Sequence, residues 1–296
     1  MLTKTSSCTN PCRKHIYIDA SIELFAITTT PSIDVVAEVV LEIMMAATTS
    51  SAVAGERPAP VLVHLAFNPF STCFIAATAT GLHVFSCFNS LGKVLDRDVE
   101  VFPDGSSPGV WKVAMAEMFN EAFAAVVFRR KKAGGSGGSV DKVCFWCVPN
   151  GRMCCMGKEL PFDVVRGLRL VGEYLLVAGD DKTVLYEIPH HGAAVKKVKV
   201  VETAINPLGL GALVQLDGNA RFLLVAPQKM KGMLQVHRLA EDHVYVRAHY
   251  STVVSFALSH DGRLLATAGS KGTLLRIFGT SDGKLLQEIP NVQQIL

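Results

Sequence analysis

Residues Ala248 to Ile289 contain four short apolar runs, Val253 to Leu258, Leu264 to Ala268, Thr273 to Phe278 and Lys284 to Ile289, with a polar turn in every gap. The turns are His260-Asp261-Gly262, Gly269-Ser270-Lys271-Gly272 and Ser281-Asp282-Gly283. Glycine supplies the positive φ, and aspartate the side-chain-to-backbone hydrogen bond, that a tight hairpin needs. Runs of this length between such turns read as consecutive antiparallel strands. Four of them in about 40 residues, opened by Ala248-His249, have the period of one propeller blade. A blade buries its faces only against neighbours of its own kind, so the unit calls for more blades upstream.

The chain from residue 61 onward supplies them. Apolar runs alternate with Gly, Asp, Asn and Pro punctuation, and no segment keeps a helical period. The first blade spans about 61–101, with Asn68-Pro69 and Thr80-Gly81 at its turns, and the second about 110–160. The third runs over about 162–201 with a hairpin at Gly179-Asp180-Asp181-Lys182, and the fourth over about 208–246. At roughly 40 to 45 residues per blade, the span holds about five blades. The expected organisation is an extension over 1–59, the blades over 60–289 and a tail over 290–296.

With 49% hydrophobic and 19% charged residues, the chain has enough apolar material for a large core and no bias toward disorder. A formal net charge of +3 is too small to imply a nucleic-acid partner, so any anion site must be local. The eight cysteines, at 8, 12, 73, 87, 144, 147, 154 and 155, fit free thiols in a reducing compartment. Cys144-x-x-Cys147 followed by Cys154-Cys155 has the density of a zinc site, but Val143 to Cys155 reads better as strand, Pro149-Asn150-Gly151 turn and strand. No metal is therefore expected. In the extension, the apolar run Val35 to Ala47 is broken by Glu38 and Glu42, which excludes a transmembrane segment and suits a short amphipathic helix capped near Ser32 or Asp34. The stretch Ile16 to Ile27 alternates in part and could cover one flank of a propeller; the rest of the extension is expected to be poorly ordered.

The residues of the last blade resemble those of the PROPPIN family, the phosphoinositide-binding WD-repeat proteins of autophagy. The resemblance is carried by Ala248-His249-Tyr250-Ser251, Ala257-Leu258-Ser259, Asp261-Gly262, Leu264 to Ala268, Ser270-Lys271-Gly272-Thr273 and Arg276-Ile277-Phe278. His64 to Cys87 resembles the family's first blade and Val200 to Val214 the start of its fourth, so most of 60–289 is covered. Trp146-Cys147 stands where the Trp-Asp pair of WD repeats is found. The resemblance implies an all-β WD-repeat β-propeller of seven four-stranded blades, about five of them present in this chain as an open or incomplete ring. It also implies a scaffold that recognises phosphatidylinositol 3-phosphate and the 3,5-bisphosphate and supports autophagosome formation with other autophagy proteins. Such a protein is cytosolic and sits peripherally on preautophagosomal, endosomal or vacuolar membranes, without a cofactor.

Carried over residue by residue, the resemblance implies headgroup contacts from His249, Ser251, Thr267, Ser270, Thr273 and Arg276. Hydroxyls and turn amides donate to phosphate oxygens, and Arg276 offers a charge-assisted contact. Protonation of His249 at mildly acidic pH would add positive charge. A plainer reading stands beside this one, because blade-opening histidines and nearby Ser or Thr commonly satisfy one another inside WD repeats. In the family a Phe-Arg-Arg-Gly signature follows this blade and gives one arginine to each of two headgroup sites. Here Ile289-Pro290-Asn291-Val292 occupies that place. Both arginines are absent and the sequence holds no residues for the second site, so impaired lipid binding is expected. The alternative function is a WD-repeat adaptor for protein partners without lipid binding.

Other candidates have ordinary readings. Phe128-Arg129-Arg130-Lys131-Lys132 also begins Phe-Arg-Arg, but it precedes a Gly-Ser run in the second blade and reads as a solvated loop. His190-His191 after Pro189 reads as a turn. No nucleophile-base set, phosphate loop or H-E-x-x-H pattern is present, so no catalytic residue and no enzymatic activity are expected.

Overall fold

A computed structural model describes residues 62–290 apart from 80, 88–91, 99–109, 121, 133–136, 157–159, 189–194, 217–220 and 239–242. The expected helix at 35–47, the alternating segment at 16–27, His190-His191 and all of the tail after Pro290 lie outside the described residues.

Among the described residues, five antiparallel sheets follow one another, each a four-stranded meander in sequence order. The first holds β1 (Leu62–Phe67), β2 (Cys73–Thr78), β3 (Gly81–Ser86) and β4 (Gly92–Asp98). The second holds β5 (Lys112–Asn120), β6 (Phe123–Lys131), β7 (Ser139–Cys147) and β8 (Arg152–Cys155). The third holds β9 (Gly167–Val171), β10 (Tyr174–Ala178), β11 (Lys182–Glu187) and β12 (Lys196–Glu202). The fourth holds β13 (Ala212–Leu216), β14 (Arg221–Pro227), β15 (Met233–Arg238) and β16 (His243–Arg247). The fifth holds β17 (Val253–Leu258), β18 (Leu264–Gly269), β19 (Leu274–Gly279) and β20 (Leu285–Pro290). The strands of this last sheet match the four apolar runs to within one residue at each end. No helix occurs among the described residues. The fold is an all-β propeller arc of WD-repeat type.

The first strand of each sheet lies innermost and meets the first strand of the next, in the order β1, β5, β9, β13, β17. The core is therefore a series of apolar layers between sheets. Ile75, Leu82 and Val84 of the first sheet pack with Met118, Val126 and Trp146 of the second. Val127, Phe145 and Leu175 fill the next gap, Leu176, Leu185 and Phe222 the third, and Val225, Val246, Phe256 and Phe278 the last. This layering explains why β10 is buried at all five positions: its two faces serve two different layers, and its sequence is correspondingly a continuous run, Tyr-Leu-Leu-Val-Ala. In the fifth sheet, β18 alternates instead, with Leu265, Thr267 and Gly269 buried and the residues between them open. Among the described residues the ring is not closed.

Two sequence expectations are corrected by the fold. The Phe-Arg-Arg-Lys stretch is not a loop: β6 continues through Lys131, pairing Arg129 with Asp141 and Lys131 with Ser139. Arg129 donates from Nε and Nη2 to the two oxygens of Asp141 at 2.8 and 2.7 Å, and from Nη2 to the carbonyl of Val165 at 2.8 Å. Asp141 also accepts from the Val165 amide at 2.8 Å, so the pair clamps the second sheet to the chain entering the third. The bidentate, charge-assisted pairing offsets the desolvation of Asp141, whose side chain is fully buried, while Arg129 stays partly open to water. The cysteines are not uniformly free either. Cys144 is disulfide-bonded, and the residue opposite it in register is Cys155. The adjacent strands β7 and β8 bring these positions together at a separation that linear spacing does not reveal. Cys87, Cys147 and Cys154 are free thiols.

Candidate functional site

Two loops converge at one end of the fifth sheet: the link 248–252 between β16 and β17, and the turn between β18 and β19. The link is held by Gly232, in the hairpin between β14 and β15, whose carbonyl accepts from the Ala248 and His249 amides at 2.9 and 3.0 Å. Gly232 has φ +76°, and a Cβ there would lie 1.9 Å from the His249 carbonyl oxygen, so the position admits only glycine. The turn is tied to the link by the Ser270 amide, which donates to the Thr252 carbonyl at 2.8 Å. A Cβ on Gly269 would come within 2.6 Å of Ser251 Oγ and 2.9 Å of the His249 ring. His249 and Ser251 thus pack directly against bare backbone.

Register then assembles the polar row. Phe256, Thr267, Arg276 and Glu288 are cross-strand neighbours on β17 to β20. His249 Nε2 lies 3.0 Å from Thr267 Oγ1, and that hydroxyl donates to the Arg276 carbonyl at 3.4 Å. With the hydroxyl donating onward, the imidazole Nε2–H is the donor to Thr267. Arg276 closes the circuit: Nη1 donates to the Ala248 carbonyl at 2.8 Å, while Nε and Nη2 both reach Glu288 Oε1 at 2.8 Å.

The structure brings His249, Thr267 and Arg276 into one network and sets Ser251 beside it. Ser270 and Thr273 stand exposed on the turn, on either side of Lys271. His249 and Thr267 are buried, which agrees with the plainer reading of mutually satisfied groups. Burial, reinforced by the nearby Arg276 charge, lowers the pKa of His249 against the opposing effects of Thr267 and Glu288. This direction works against the protonation of His249 that would add positive charge to the site. Three residues that position the site were not picked out from sequence as part of it, namely Gly232, Gly269 and Glu288. None had a complete signal in the sequence: the Ser281-Asp282-Gly283 turn sets one register, and an irregularity between Ile277 and Phe278 shifts it by a residue before Arg276 meets Glu288.

Chemically, the arrangement offers an arginine whose partner is itself accessible. The Glu288 side chain is 42% exposed, so its carboxylate can be displaced by another anion without stranding a charge in the core. The exposed turn adds the hydroxyls of Ser270 and Thr273 and the ammonium of Lys271.

Residues 221–296 match the model of the anaphase-promoting complex subunit 4 WD40 domain. The chain is 32% identical over 229 residues to Autophagy-related protein 18e of Arabidopsis thaliana, covering 77% of this chain and 56% of that protein. It is 26% identical over 219 residues to Autophagy-related protein 18 of Dictyostelium discoideum, covering 73% and 53%. The solved structure of Kluyveromyces lactis Hsv2 superposes with a TM-score of 0.58 at 19% identity, over 78% of this chain and 64% of that one. The chain belongs to the PROPPIN family. It spans about half the length of the curated PROPPIN relatives it matches. A complex of KlAtg21 with the coiled-coil of AgAtg16 also superposes, at TM-score 0.57 and 20% identity over 78% of this chain and 71% of that one. The PROPPIN chain described here shares that fold.

Proposed function

We propose that this chain is an autophagy scaffold of the PROPPIN type that recognises phosphatidylinositol 3-phosphate and the 3,5-bisphosphate with a weakened half-site on its fifth blade. The observation that carries this reading is the convergence of Arg276, Ser251, Ser270 and Thr273 at one end of that blade, in the residues that resemble the family most closely. Arg276 and the turn hydroxyls supply donors of the kind a phosphate monoester accepts. Affinity is low because Glu288 competes for the guanidinium and because Ile289-Pro290 stands where the family has its paired arginines. Losing one charge-assisted contact typically costs about 1.5 to 3 kcal/mol, or roughly tenfold to a hundredfold in affinity. Its partners in this reading are phosphoinositide headgroups at membrane surfaces and other autophagy proteins, with the chain peripheral to preautophagosomal, endosomal or vacuolar membranes.

The second reading, a protein-binding adaptor without lipid recognition, is favoured by the closed network itself, in which Arg276 already satisfies a carbonyl and a carboxylate. Titration with soluble inositol 1,3-bisphosphate, the headgroup of phosphatidylinositol 3-phosphate, separates the two. The lipid reading expects weak saturable binding that Arg276→Ala abolishes. Absence of binding at millimolar headgroup, or binding indifferent to Arg276→Ala, establishes the adaptor reading instead.

A further inference from the structure

In the fourth sheet, register sets His237 of β15 directly opposite His243 of β16, and Gln235 opposite Tyr245. Residues two apart on a strand share a face, so all four stand on one side of the sheet. That side meets the third sheet: Leu224, the register partner of His237 on β14, belongs to the apolar layer with Leu176 and Leu185. Gln235 bridges the two sheets, donating from Nε2 to the Glu202 carbonyl on β12 at 2.7 Å and to the Pro227 carbonyl on β14 at 2.9 Å. Lys199 of β12 is the cation that acts on His237 from the third sheet.

These bonds fix the tautomer of His237. The Gln235 nitrogen is spent on two carbonyls, so its Oε1 is the atom 3.1 Å from His237 Nε2. An amide oxygen only accepts, which puts the ring hydrogen on Nε2 and leaves Nδ1 as a bare lone pair. His237 is 8% exposed, and that Nδ1 has no hydrogen-bond partner among the described residues. A histidine that served packing alone would be expected to satisfy both nitrogens. Over its ring lies an exposed imidazole: His243 stacks at 5.6 Å and 29°, and meets the edge of Tyr245 at 4.8 Å. One nitrogen held by an oriented acceptor and the other left bare is the arrangement of a ligating histidine, with Gln235 as the outer partner that sets the ring.

We propose that His237 and His243 form a two-imidazole site for a divalent transition metal, with Nδ1 of His237 and one ring nitrogen of His243 as its ligands and water in the remaining positions. Imidazole pairs suit Cu²⁺, Ni²⁺ and Zn²⁺. Cross-strand neighbours place two side chains close enough to share one ion. His243 is the member that moves: it is exposed, and it turns out of its stack to uncover Nδ1 and take the second position. Two protein ligands and the Lys199 charge nearby make the site a weak, exchangeable one rather than a structural centre. It lies apart from the cysteines whose spacing has the density of a zinc site, and it is independent of the lipid reading of the fifth blade.

The test is calorimetric titration of the whole untagged chain with Ni²⁺ and with Zn²⁺, beside a magnetic-resonance titration with sub-stoichiometric Cu²⁺. The proteins compared are the parent, His243→Gln, His237→Gln, Gln235→Met and Lys199→Gln. The expected result is saturable binding by the parent that weakens roughly tenfold or more in each histidine variant and in Gln235→Met, as loss of even an outer partner typically does. Because His243 is exposed, its variant is expected to unfold at the parent's temperature without metal, which separates lost ligation from lost folding. Lys199→Gln is expected to tighten binding severalfold, since it removes a positive charge near the ion. Cu²⁺ is expected to broaden the ring signals of His237 and His243 before those of the other histidines. Parent binding no tighter than about 1 mM, affinity unchanged in His243→Gln, looser binding in Lys199→Gln, or broadening that begins at other histidines overturns the proposal.

Discussion

Arg129 in the second sheet and Arg276 in the fifth each lie on a strand beside a carboxylate on the next strand, at nearly equal distances, yet they serve opposite ends. The Asp141 side chain is 0% exposed and Glu288 is 42% exposed. Arg129 is bidentate and reaches across to Val165, and its hydrogen bond to Asp141 raises its pKa further. Arg276 binds a single oxygen of a carboxylate that water also reaches. The same residue type at the same kind of register position thus pairs with a fully buried carboxylate in the second sheet and with a solvent-exposed one in the fifth. Identity of side chain and pairing geometry do not decide the role; the dielectric surroundings of the partner do.

The comparison is broken most directly by Arg129→Ala. It leaves Asp141 buried with only the Val165 amide as a partner, and a loss of about 3 to 5 kcal/mol is expected in urea unfolding. A loss under about 1 kcal/mol would place Arg129 in the same class as Arg276. Replacing both members with leucine is expected to recover much of the loss, since no charge is then stranded.

Two histidines extend the contrast to pH. His237, buried and stacked at 5.6 Å on His243, has its pKa lowered from 6.5 to about 4, chiefly by burial and then by the charges of Lys199 and His243. Its Nδ1 has no hydrogen-bond partner among the described residues. Because the folded pKa lies below the unfolded one, the unfolded chain takes up the proton first, and stability falls as pH drops from about 6.5 toward 4. The slope for one such group is about 1.4 kcal/mol per pH unit, so about 2 kcal/mol is expected to be lost between pH 7 and 5. His237→Gln should flatten that part of the profile; an unchanged slope would move the effect to other groups. His249 is depressed in the same direction and adds to the same limb.

Thr267→Val keeps the shape of the side chain and removes the hydroxyl that His249 and the Arg276 carbonyl share. About 1.5 kcal/mol of destabilisation is expected, with Thr267→Ser close to the parent. Equal stability of all three would show that the network is not closed in solution. The smallest stability effect belongs to Glu288→Gln, at under about 1 kcal/mol. The same substitution frees Arg276 and is expected to tighten inositol phosphate binding severalfold in calorimetric titration. A large stability loss without tighter binding would make Arg276 a second fastener and erase the comparison.

Much of the fold was legible because it rests on local chemistry. The turns at Gly179 to Lys182, Asp261-Gly262 and Asp282-Gly283 fall where glycine and aspartate predict them, and the apolar runs between them become strands. The strand VCFWC, the Pro149-Asn150-Gly151 turn and the short strand after it were equally readable. The run of charge at Arg129 to Lys132 misled, since four basic residues read as a solvated loop unless the buried carboxylate twelve residues beyond Arg129 is known to face it. Resemblance led to one end of the fifth blade and to six residues there, but it could not say which of them are buried.

By itself the sequence determined the all-β class, the four-strand period, the number of sheets and the turn positions, since each depends on residues within a few positions of one another. Only the tertiary structure decided that Arg129 is a clamp and Arg276 is held by Glu288, that His249 is buried against Thr267, and that Cys144 is oxidised. Those properties depend on neighbours one strand or one sheet away, whose distance, burial and charge exist only once the strands have paired.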